Sequence, residues 1–144
     1  MRSWILFLAC LAVVLPCQGR TITVDDDGPA EFNNIQAAIN DANDGDIVVV
    51  SPGRYTGDGN RDIDFGGRGI TVRSENGLEN CIIDCEKRGR AFDFHSGEDA
   101  NSVLEGLTIK NGVHVFGGAI RCNQSSPTIA RLFFRMGKVS LPWV

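Results

Sequence analysis

The sequence offers little that would tie it to nucleic acid, to a membrane interior or to a structural metal. Its 14 Lys and Arg are outnumbered by 18 Asp and Glu. The cations gather into no stripe, so nothing draws a phosphate backbone and no nucleic-acid partner is expected. No apolar run reaches the roughly 18 to 20 residues that a spanning helix needs, and the longest, Trp4–Leu15, stops well short. There is no Cys-x-x-Cys pair, and the two histidines, His95 and His114, stand at no ligand spacing, which argues against zinc. Neither has a serine or cysteine placed to make a nucleophilic pair. Helical periodicity is confined to one short stretch.

What is present begins with an export signal. Residues 1–19 open on Arg2, run apolar from Trp4 and end in Cys17-Gln18-Gly19, the pattern of a signal peptide with its cleavage site. A secreted or extracytoplasmic location follows, with no membrane span after removal. Cleavage takes away one Arg and no acid, so the remainder is more acidic still. Cys10 and Cys17 leave with the signal, and Cys81, Cys85 and Cys122 remain where disulfides are permitted. On one extended strand Cys81 and Cys85 would be about 13 Å apart, too far for a bridge unless the backbone turns between them. The alternative is that all three are buried thiols in stacked turns.

After a strand at Thr21–Val24 and a turn at Asp25–Pro29, the apolar positions Ile35, Ala38, Ile39 and Ala42 form one helical stripe. Asn33 or Asn34 caps its start and Asn43-Asp44-Gly45 ends it. So short a helix cannot bury its stripe alone and must cover the end of something. Beyond it come short apolar runs between glycine-rich turns: Ile47–Val50, Ile63–Phe65, Ile70–Arg73, Ile82–Cys85, Ala91–His95, Leu107–Lys110, Ala119–Cys122 and Thr128–Ile129. Such strands suit a sandwich or a solenoid. Two features favour the solenoid. Ile47–Val50 is apolar throughout, as in a stacked parallel sheet. Gly69–Val72, Gly106–Ile109 and Gly118–Arg121 look like versions of one unit.

Phe32–Ile39 and Gly45–Tyr55 resemble the N-terminal entry of bacterial right-handed β-helix proteins of the pectin-lyase-like group, in which a short helix caps the solenoid and a GD-apolar-PG-x-Y segment starts the first coil. Ile70–Gly77, Cys81–Cys85 and Gly97–Leu104 are similar to cysteine-bearing secreted members, mostly of unassigned activity. Gly117–Ile120 and Ser125–Ile129 match recurring coil segments. The resemblance covers about residues 21–129. It implies an all-β fold, a right-handed parallel β-helix of about three coils with an N-terminal capping α-helix. Residues 1–19 would be the signal, 20–45 the strand and capping helix, and 46–129 the coils. Residues 130–144 form a basic, aromatic tail unlike the acidic chain before it, read either as the product of a truncation or frameshift or as a C-terminal cap.

Candidate chemistry is sparse. Asp58, Asn60, Asp62 and Asp64 alternate, and oxygen donors at every second position suit calcium, but Ile63 and Gly69 stand where an EF-hand loop needs glycine and a bidentate acid. Asp25–Asp27 read as turn residues. A lyase of the resembling group would place calcium-binding carboxylates beside an Arg or Lys base, and no such set repeats at coil spacing. A hydrolase needs clustered acids, for which Asp84 and Asp93 are nearest. No catalytic residue is assigned. The expected function is a structural or binding module whose partners are polysaccharide or cell-surface components. The alternatives are a calcium-dependent lyase or hydrolase, and a non-functional fragment of a longer surface protein.

Overall fold

The computed structural model describes residues 18–135. Met1–Cys17, nearly all of the expected signal peptide, lie outside the described residues, as do residues 136–144 of the tail. No helix among the described residues is long and apolar enough to cross a membrane.

The elements are β1 (Thr21–Val24), α1 (Ile35–Asp41), β2 (Ile47–Val50), β3 (Gly53–Tyr55), β4 (Thr71–Ser74), β5 (Cys81–Asp84), β6 (Phe92–Phe94), β7 (Val103–Glu105), β8 (Thr108–Lys110), β9 (Ile120–Cys122), β10 (Thr128–Ala130) and β11 (Phe133–Arg135). They form three sheets: β1-β2-β4-β7-β10, β3-β5-β8-β11 and β6-β9. Every pairing is parallel. The chain visits the sheets in rotation, and each strand pairs with its counterpart one coil later. The result is a parallel β-solenoid of about four turns.

That corrects the expected count of about three. The missed strands are β3, β7 and β11, each only three residues long. A period-2 signal cannot establish itself over so few positions, and β3 directly follows Pro52, where the sequence reads as a turn. Ile63–Phe65 contributes only a single bridge, Ile63 to Phe92. Past Ile129, Phe133–Arg135 pair in register with Thr108–Lys110, so the described part of the tail carries the coil pattern onward.

Alternation along each strand builds the core as ladders. Ile22, Val48, Val72 and Leu104 occupy successive inward rungs of the first sheet and are fully buried. Tyr55, Ile83 and Ile109 do the same on the second. On the third, Phe92 and Phe94 pack with Phe65, whose ring centroid lies 4.9 Å from that of Phe94 in an edge-on arrangement.

α1 closes one end. Asn34 is its cap, its side chain accepting from Ala37 N at 2.8 Å. Asn60 Oδ1 accepts from Ile35 N at 3.0 Å, and Gln36 exchanges two hydrogen bonds with the Asp64 backbone, both 2.9 Å. These contacts fix the helix to the next coil while Ile35, Ala38 and Ile39 are buried against β1 and β2. At the other end the last described rungs of the first two ladders, Ile129 and Phe134, are exposed among the described residues.

Candidate functional site

Outward-facing rungs also line up along the axis. On the first sheet Arg73 stands next to Glu105, and Glu105 next to Ala130, with Arg131 just beyond. The Arg131 guanidinium pairs with the Glu105 carboxylate. Successive coils turn this corner differently. Between β7 and β8 only Gly106 and Leu107 intervene, and Gly106 has φ 74°, with Ser74 Oγ so close that a Cβ would meet it at 2.7 Å. Between β4 and β5 the longer segment Glu75–Asn80 stands out from the coil. Ser74 Oγ accepts from Gly77 N at 3.0 Å, and Thr108 Oγ1 donates to Leu78 O at 2.6 Å, pinning this segment to the next coil.

The segment divides two open clefts that share Leu78. One, of about 520 Å³, is bordered by Arg73, Glu75, Glu105 and Arg131. The other, of about 360 Å³, is lined by Ile82, Thr108 and the half-exposed Phe133 together with Glu79 and Arg135. Charged donors and acceptors thus flank an aromatic face across three consecutive coils.

The alternating donors proposed for calcium point to different partners. Asp58, at 94% side-chain exposure, pairs with Arg61. Asn60 turns inward, donating from Nδ2 to Thr56 O at 2.9 Å while serving the helix through Oδ1. Asp62 accepts from Arg90 N at 3.2 Å and lies 3.8 Å from Arg90 Nε. Asp64 accepts from Gly66 N at 2.9 Å. In this structure the four side chains thus each serve a different partner. Among the described residues the one group of three acids with converging oxygens is Asp25, Asp26 and Asp27, within 4.8 Å of one another.

Asp84 and Asp93 stand on different sheets. Asp84 is buried and receives Arg54 Nη2 at 2.6 Å, Asn111 Nδ2 at 2.9 Å and Glu86 N at 2.9 Å. Burial pushes its carboxyl up, but these donors outweigh it and hold the group below the usual range. Asp93 is clasped by Arg121 at 2.7 and 2.9 Å, and His95 lies 3.7 Å from both Asp93 and Asp64. His114 is exposed, its Nδ1 accepting from Phe116 N at 3.3 Å. Glu98 follows the pattern of Asp84. Burial raises it, and Gly67 N, Ser125 Oγ and Ser96 N more than compensate. Asp46 is lowered by the backbone amides of Asn43 and Arg20. Each displaced carboxyl among the described residues is thus shifted down, toward a fixed charge, rather than up toward a proton donor.

The thiols are free. Cys81 and Cys85 are buried, and burial pushes each up to about 12. Cys122, grouped with them as buried in the sequence, is exposed. It pairs with Phe94 on the third sheet, and no described strand stacks beyond it.

Sequence reasoning missed Glu75, Leu78, Glu105, Arg131 and Phe133. They come together through register, which no local pattern displays. The chain matches no family model, no curated protein and no solved structure.

Proposed function

We propose that the chain is an exported β-solenoid module that binds glycan or a glycan-bearing surface partner through the paired clefts beside Leu78, without catalysing a reaction. The observation that carries this reading is that Arg73, Glu105 and Arg131 line one cleft and the Phe133 ring lines a second, the two sharing Leu78. Fixed charged groups bond hydroxyls strongly, and an aromatic face accommodates the apolar side of a sugar ring. The resemblance of Phe32–Tyr55 to pectin-lyase-like proteins supports the same ligand class. Hydrolytic cleavage would call for a carboxyl held as a proton donor or an acid pair at set spacing, whereas Asp46, Asp84 and Glu98 are all shifted the opposite way.

Calorimetric titration with neutral and uronate-containing oligosaccharides tests the reading. Arg131→Ala and Phe133→Ala are each expected to weaken binding by about tenfold, equivalent to losing about 1.4 kcal/mol. Sustained formation of unsaturated product from polygalacturonate in calcium would overturn it.

A further inference from the structure

A second surface lies where the chain passes from the second sheet to the third. Between β8 and β9 the segment Gly112–Gly118 leaves the coil and returns so closely that a Cβ on Gly112 would lie 2.2 Å from Gly118 O. Its tip is apolar and bare: Val113 is 54%, Val115 86% and Phe116 71% exposed. Leaving such side chains in water has no structural benefit, and contiguous exposed apolar groups mark an interaction surface.

Cations collect beside the tip. The preceding coil passes the same corner through Lys87 and Arg88, both exposed. Lys87 N donates to Asn111 O at 3.0 Å and Val113 N to Gly89 O at 2.8 Å, which holds the two turns side by side. Lys110 ends β8 two residues before Gly112. None of these three cations is in an ion pair among the described residues. The nearby acids have other partners, Glu86 with Arg61 and Gly57 N, Asp84 with Arg54, and Asp62, whose carboxylate lies against Gly89, with Arg90. Unneutralised positive charge is thus concentrated behind an apolar projection, on a chain whose net charge is −4.

We propose that Val113, Val115 and Phe116 insert shallowly into an anionic lipid surface while Lys87, Arg88 and Lys110 contact its headgroups. Apolar insertion and electrostatic attraction add in this mode, and neither suffices alone. The exposed tip beside cations that make no ion pair among the described residues matches an apolar layer under anionic headgroups, which favours a lipid surface over a protein.

The test is co-flotation of the full chain with phosphatidylcholine vesicles containing or lacking phosphatidylglycerol. Comparing variants cancels whatever the N-terminal apolar run contributes. The expected result is stronger association with the anionic vesicles, reduced about tenfold or more by Val115→Ser with Phe116→Ser and by Lys87→Glu with Arg88→Glu. Salt should weaken the wild type but not the charge-reversed variant. All four side chains are exposed, so thermal midpoints should stay near wild type. Equal association of wild type and both variants would overturn the proposal, as would self-association that the tip variant abolishes without any vesicle binding.

Discussion

Replacing Asp84 with alanine should be among the most damaging single changes at the solvent-facing corners of the solenoid. The carboxylate sits at a corner where Glu86, Lys87 and Asn111 all adopt positive φ, at 54°, 59° and 54°. Such backbone persists in non-glycine residues only when its surroundings hold it. Asp84 does so by accepting from Glu86 N and Asn111 Nδ2, both at 2.9 Å, and from Arg54. Alanine leaves the first two donors without an acceptor. Arg54, with its side chain 62% exposed, turns to water and adds little. Glu86 is exposed and Asn111 half-buried, so water recovers part of each lost bond; at about 1.5 kcal/mol for each bond to a charged group, the expected loss is about 3 kcal/mol. Asp84→Asn keeps an acceptor and should cost about half as much, and Arg54→Ala no more than about 1 kcal/mol. Urea unfolding at constant m-value reads the series directly. Equal costs for Arg54→Ala and Asp84→Ala would refute this role of the turn, because the ion pair would then be the stabilising unit.

Further outcomes follow from the same structure. Asp46, Asp84 and Glu98 have folded pKa values below their ordinary ones, so their stabilisation is present above the ordinary carboxylate range, about 4, and is lost as pH falls through the lowered values. Thermal midpoints should therefore be level near neutrality and drop in acid, with a shallower drop in Glu98→Gln. Cys81 and Cys85 are raised to about 12, so their contribution holds below the ordinary thiol value, about 8.5, and disappears as pH climbs toward the raised one. A thiol reagent at neutral pH should label Cys122 at once and the other two only on unfolding; equal rates would contradict their burial. Leu104→Ala should cost about 2–5 kcal/mol. Ile129→Ala, one rung along the same ladder but 41% exposed, should cost about 1 kcal/mol.

The sequence revealed those features whose signal is local. The stripe Ile35, Ala38, Ile39, Ala42 identified α1, and the unbroken run Ile47–Val50 gave away a stacked parallel strand. What stayed hidden depends on register. Val103–Glu105 offers two apolar residues, too few to distinguish a strand, yet it carries Leu104 into the core and Glu105 onto the outer ladder. Phe133 read as part of a tail because nothing before it repeats its composition, and only pairing with Thr108 places it on the outer face. The oxygen donors Asp58, Asn60, Asp62 and Asp64 show the converse. Their alternation suggests a common ligand, and what it does not display is that Asn60 also holds the helix through Ile35 N and the Thr56 carbonyl.

Backbone amide shifts recorded while an oligosaccharide is titrated into the full chain test the binding account most directly. It predicts saturable changes centred on Arg73, Leu78, Glu105, Arg131 and Phe133, with the oligosaccharide recovered intact. Shifts centred instead on Asp64, Asp93 and His95, or recovery of a cleaved sugar, would contradict it.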